Sequence, residues 1–128
     1  MRVIVDTHAF LWWINDDPPL SASVRDIMGS AENALYLSAA SGWEIAIKYQ
    51  LGKLELPSEP ESFVIQEILN NRFRSLPIEL RHALHTYSLP LLHRDPFDRM
   101  LIAQSQLENL PILTIDCAIR QYEVEAIW

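Results

Sequence analysis

Four carboxylates stand where this chain leaves its apolar runs or enters its helical ones: Asp6, Glu44, Asp98 and Asp116. Asp6 ends the run Arg2-Val3-Ile4-Val5, and Asp116 ends Ile112-Leu113-Thr114-Ile115. Glu44 and Asp98 each fall in the first turn of a predicted helix. Parallel strands would let all four converge on one sheet edge, where like charges raise one another's pKa and resist joint ionisation. A divalent cation reverses that logic and holds them ionised. Mg²⁺ takes oxygen ligands and keeps several waters; beside a phosphodiester it polarises the phosphoryl group and acidifies a water aimed at phosphorus. The residue types therefore point to metal-assisted chemistry on a phosphate.

Each acid also has a purely structural account. Glu44 could answer Ser41 in an S-x-x-E capping box. Asp98 could favour the positive end of its helix, Asp116 could be an N-cap, and Asp6 could simply stop a strand. Asp6 resists that account most. A carboxylate ending so apolar a run is expensive to desolvate unless paired or metal-bound, and Arg2 is the one basic residue near it in sequence. Thr7 places a short hydroxyl beside it, able to orient a carboxylate or a bound water.

The elements that must position these acids alternate between strand and helix. Residues 2–6 read as a short buried strand, 7–14 as a helix, and Asn15–Pro19 as a turn. Ser21 caps a helix over 22–30, and 34–38 form a second strand. The Ser41 box opens a helix to about Gln50, stopped by Gly52. Pro60-Glu61 opens another through about Asn70, 73–78 is a weak strand interrupted by Pro77, and 79–88 is helical. Asp95-Pro96-Phe97-Asp98 is a strong helix start, with an N-cap acid and Pro at the first helical position. That helix runs to about Glu108. A strand over 112–115, a helical turn over 116–121 and a last strand over 124–127 complete an α/β pattern with a central, mostly parallel sheet flanked by helices.

With 128 residues the chain suits one domain, 1–128, and can bury a real core. Cys117 is alone, so no intrachain disulfide forms and a reducing cytoplasm is the natural setting. Asp6 and His8 break the first apolar run too early for a signal peptide, and no stretch is long enough to span a membrane. Seventeen acids against ten Lys and Arg give a net charge of −7. That argues against generic nucleic-acid binding and suits a basic protein partner.

At this point the chain resembles a known family, the PIN-domain nucleases, and within it the VapC toxins of toxin–antitoxin pairs. The segments that carry the resemblance are VDTHAFLWW at 5–13, LSAASGWEIAIKYQLGKLELP at 37–57, HRDPFDRMLIAQSQ at 93–106 and LTIDCAIRQY at 113–122. It implies a three-layer fold with four or five parallel strands and Mg²⁺- or Mn²⁺-dependent hydrolysis of RNA by water, leaving a 5′-phosphate and a 3′-hydroxyl. The family's metal-site and catalytic acids fall on Asp6, Glu44, Asp98 and Asp116. Ser38 and Thr114 match supporting hydroxyls, Thr7 is similarly placed, and Asp95 is the N-cap one turn before Asp98. The resemblance also implies a homodimer and an antitoxin whose terminal segment crosses the acidic pocket.

Other residues allow further readings. Arg94 and Arg99 flank the acid-rich helix start; they could contact substrate phosphate or pair with Asp95 and Glu side chains. His82 and His85, with His93 nearby, are spaced for zinc on a helix, but without a neighbouring cysteine or an H-E-x-x-H pattern they read as partly exposed structural histidines. His8 reads as a packed or surface residue. Trp12 and Trp13 are adjacent, so either one suits the core and the other an interface, or both are covered by neighbouring loops. Two competing functions use the same acids: a receiver-like phosphoacceptor, which lacks a D-x-D and a lysine near 113–116, and a catalytically silent binding module.

Overall fold

A computed structural model describes residues 1–128. Its strands are β1 (Arg2–Val5), β2 (Ala34–Ser38), β3 (Phe73–Leu76), β4 (Ile112–Leu113) and β5 (Ala126–Ile127). They form one five-stranded sheet in the order β3-β2-β1-β4-β5, and every neighbouring pair is parallel. The helices are α1 (Thr7–Asn15), α2 (Ala22–Gly29), α3 (Ala39–Gln50), α4 (Pro60–Asn70), α5 (Leu80–His85) and α6 (Pro96–Glu108).

The two-residue period of a strand sorts the core into two layers. Val3, Val5, Leu35, Leu37 and Leu113 pack on one face with Phe10, Val24, Met28 and Ile45. Ile4 and Ile112, their alternates, pack on the other face with Leu101, Ile102, Ile119 and Tyr122. Both faces are covered, which is why the strands read as unbroken apolar runs rather than alternating ones.

Strand order places the crevice. From β1 the chain steps through β2 to β3 at one edge, then returns to put β4 on the other side of β1. Connections diverge between β1 and β4, and in such sheets ligands gather beyond the carboxyl ends at that switch point. Asp6 follows β1 there, and Asp116 lies just past β4.

Several boundaries differ from the sequence expectation. The second-strand hydroxyl of Ser38 accepts the Ala40 N–H at 3.0 Å and caps α3 directly. The helix thus starts at Ala39, ahead of the S-x-x-E pattern, and Glu44 sits in its second turn rather than in a capping box. β3 stops at Leu76, before Pro77, which has no N–H to continue a ladder. β4 spans only Ile112–Leu113, because the backbone turns outward after Thr114 N–H bonds the Ile127 carbonyl at 3.1 Å. Asp95 caps α6 through the N–H groups of Phe97 and Asp98, as its sequence predicts. No helix is long and apolar enough to cross a membrane.

Candidate metal and active site

Asp6 joins the first strand to the first helix. Its backbone N–H bonds the Leu113 carbonyl at 3.2 Å, and its Oδ1 accepts the Ala9 N–H at 2.7 Å as the N-cap of α1. The residue is 5% exposed. Burial pushes its carboxyl pKa above the ordinary value; the Thr114 hydroxyl, the Ala9 N–H and His8 pull it down, and the charge of Asp116 adds to the rise. Arg2, the basic residue nearest in sequence, lies over the Tyr36 ring at 5.5 Å.

Thr114 connects two of the acids. Its Oγ1 accepts the Asp116 N–H at 3.0 Å, and the same hydroxyl lies close enough to Asp6 to lower its pKa. Asp116 caps the turn that follows: Oδ1 accepts the Ala118 N–H at 2.8 Å, and its carbonyl accepts from Arg120. Its capping and electrostatic roles are therefore both present.

Asp98 enters from α6. Burial first, then the neighbouring charge of Asp95, pushes its pKa up to about 6; Asp116 raises it further, while a hydrogen bond from His93 opposes. His93 Nε2 lies 3.2 Å from Asp98 Oδ2, and Nδ1 lies 2.8 Å from the Tyr122 hydroxyl. Asp116 is thus felt by both Asp6 and Asp98, so three of the four acids share one electrostatic neighbourhood.

Glu44 is buried but answers a different charge. Its Oε2 pairs with Lys48 Nζ at 2.7 Å, one turn along α3. It does not figure among the charges that perturb Asp6 or Asp98. The link between α3 and the crevice is a buried bond from the Thr7 hydroxyl to Ser41 Oγ at 2.8 Å. Ser38 Oγ meets Gln104 Oε1 at 2.6 Å, and Gln104 Nε2 donates to the Pro77 carbonyl at 3.1 Å, tying the end of β2 to α6.

The donor set of the crevice is all oxygen, which suits a hard divalent cation. No three of these carboxylates bring oxygens within 4.8 Å of one another; the trio that does is Glu79, His82 and Glu108, elsewhere on α5 and α6. That trio is closed by other means. His82 accepts the Glu79 N–H on Nδ1 at 3.0 Å, which leaves Nε2 to donate to Glu108 at 2.8 Å, and Arg81 bridges both glutamates. His82 is 1% exposed, so it is a core pin between two helices and not the partly exposed histidine expected.

Other expectations are sharpened. Arg99 pairs with no carboxylate: its guanidinium donates to the carbonyls of Thr86, Leu89 and Pro90 and to the Tyr122 hydroxyl. It holds the 86–90 segment instead of offering free donors to a phosphate. Arg94 remains exposed and in no ion pair. Trp12 and Trp13 are both half-buried, one against Trp128 and one donating to Asn71. The exposed tryptophan is Trp43, at 60%. Sequence reasoning gave Ser41 only a capping role and His93 only a structural one, and missed Gln104 and Tyr122. Gln104 and Ser105 had a signal: they fall three and four residues after Leu101, on the stripe a helix buries.

Fold and crevice together describe a three-layer α/β protein with its acids at the carboxyl edge of a parallel sheet. The PIN domain model matches residues 3–125, and the chain belongs to that family. It is similar to Ribonuclease VapC16 of Mycobacterium tuberculosis (strain ATCC 25618 / H37Rv), with 44% identity over 62 residues. That segment takes in 48% of this chain and 42% of the relative, so the match spans less than half of either. The fold is shared with a crystal structure of VapBC2 from Rickettsia felis bound to a DNA fragment from their promoter. The TM-score is 0.72 at 14% identity, covering 99% of this chain and 98% of that one.

Proposed function

We propose that the protein is a divalent-metal-dependent endoribonuclease of the VapC type, the toxin half of a toxin–antitoxin pair. The observation that carries this reading is the gathering of Asp6, Asp98 and Asp116 at the switch point, the first two with carboxyl pKa values raised by burial and by the charge of Asp116, and Asp98 also by that of Asp95. Such crowding is unfavourable for the protein alone and favourable once a cation is present. The family assignment and the likeness to a named ribonuclease support the same reading.

In this proposal Asp6, Asp98 and Asp116 hold Mg²⁺, for which Mn²⁺ substitutes. When bound, the ion would supply Lewis-acid polarisation of the phosphodiester and a more acidic water. Glu44 completes the set, either as a ligand or by orienting that water, and Lys48 neutralises it in the metal-free protein. Thr114 fixes the backbone of Asp116 beside Asp6. His93 holds Asp98, and Asp95 fixes the first turn that carries it. Ser38 and Thr7 secure the ends of β2 and β1. The partner is an antitoxin protein, as the VapBC2 assembly suggests, and the protein acts as a homodimer in the cytoplasm.

The test is cleavage of total RNA by purified protein with Mg²⁺ or Mn²⁺, beside an EDTA control and Asp6→Asn. Discrete metal-dependent fragments, absent with the variant, are expected. An absence of cleavage together with an unchanged melting point in both metals would return the chain to a silent binding module.

A further inference from the structure

Two of the crevice acids have an aromatic residue as their immediate chain neighbour. Glu44 follows Trp43 on α3, and Asp98 follows Phe97 on α6. The two acids turn inward, while the two rings meet each other edge to face, with centroids 5.3 Å apart and planes at 85°. Phe97 is half-buried and fixes the contact; Trp43 stays 60% exposed. Beside them lies a cavity of about 240 Å³ lined by Ala40, Ile78, Pro96, Met100 and the exposed Arg94.

We propose that Trp43 is a base-stacking platform beside the scissile site, with Arg94 at its rim for a backbone phosphate; this rests on the ribonuclease reading above. An indole held at its edge by a second ring is pre-oriented, so little side-chain entropy is lost when a base covers its face. The protein's net charge of −7 leaves little general attraction for a polyanion. Stacking does not depend on that attraction, since every base has a π-face. Trp43 meets Phe97, whose helix α6 also carries Asp98, so a base seated on the indole lies over the α3–α6 junction and orients the strand relative to the crevice. Trp43 is thus a positioning and specificity residue, outside the metal set.

The test uses the 128-residue protein carrying Asp6→Asn to prevent hydrolysis, and a fluorescent single-stranded oligoribonucleotide whose sequence carries one abasic position moved stepwise along it. Trp43→Ala should weaken binding about 5- to 100-fold, and Trp43→Phe should restore most of it. One abasic position should cost the parent a similar factor and cost the Trp43→Ala protein nothing further, since both remove the same stack. In the hydrolytically active protein, Trp43→Ala should shift or blur the cleavage position while metal-induced stabilisation stays unchanged. Equal RNA affinity for the parent and Trp43→Ala, with cleavage intact, would overturn the platform and leave the nuclease standing. Unchanged RNA affinity with altered sedimentation would reassign Trp43 to contact with a second copy. No RNA binding or cleavage by any form, together with an unchanged melting point in Mg²⁺ and Mn²⁺, would remove both readings.

Discussion

Replacing Asp98 by Asn should make the metal-free protein more stable while abolishing its activity. The carboxyl of Asp98 rises from an ordinary value of 3.8 to about 6, chiefly through burial and the charge of Asp95. Such a rise means the ionised form is about 3 kcal/mol less favourable in the folded protein than in the unfolded chain. The sign follows directly. Protonated Asp98 favours the folded state fully below about pH 4, and that advantage is gone above about pH 6. At pH 7.5 the wild type therefore carries the whole cost. Asparagine cannot ionise, yet its amide oxygen can still accept from His93, which lies 3.2 Å from the present carboxylate. In EDTA, Asp98→Asn should gain about 2–3 kcal/mol in urea denaturation, or roughly 5–10 °C in melting temperature. Acidification from pH 7.5 to 5 should close about half of that gap, and to pH 4 most of it, because the wild type then takes up its proton. Saturating Mg²⁺ should stabilise the wild type and barely affect the variant. An Asp98→Asn protein less stable than wild type in EDTA would show that Asp98 ionises at no cost to the fold, and the strain argument would collapse.

Asp6→Asn should keep the cap on the Ala9 N–H and so fold normally by circular dichroism. Asp6→Ala should lose that cap and about 1 kcal/mol of stability; both should lose metal-dependent cleavage. Ser38→Ala removes the cap on Ala40 and strips Gln104 of a buried partner, and should lower unfolding free energy by about 2–3 kcal/mol in urea titrations. Mg²⁺ at a hundred times its dissociation constant should add about 2.7 kcal/mol in calorimetry, reversed by EDTA. That increment should shrink below about pH 6, where protons compete for Asp98.

The sequence carried the parallel sheet because its strands, buried on both faces, have to be apolar throughout, as Val3-Ile4-Val5 is. It also carried the start of α6, since Asp95 and Pro96 are local signals that no distant contact overrides. It misread the start of α3, where two serines compete for the cap and tertiary position decides: Ser38 is already in place at the end of β2. Thr114, flagged as a supporting hydroxyl, accepts the Asp116 N–H and lowers the pKa of Asp6, an acid far from it in sequence. The companions His93 and Tyr122 were illegible, because nothing local joins a loop histidine to a tyrosine near the other end of the chain. Arg99 was misjudged for the same reason: its partners are backbone carbonyls, which leave no trace in composition.

The sheet's central seam pairs Ile4 with Ile112 and Val5 with Leu113. Within this domain β1 must therefore wait for β4, far along the chain, before its inner edge is filled. Contacts of such long sequence separation form slowly, because loop closure precedes any stabilisation. Asp6 and Asp116 sit at the ends of those two strands, so the crevice cannot assemble on a partial chain. A crevice of this architecture therefore stays incomplete, its carboxylates apart, until β4 has joined β1 in the sheet.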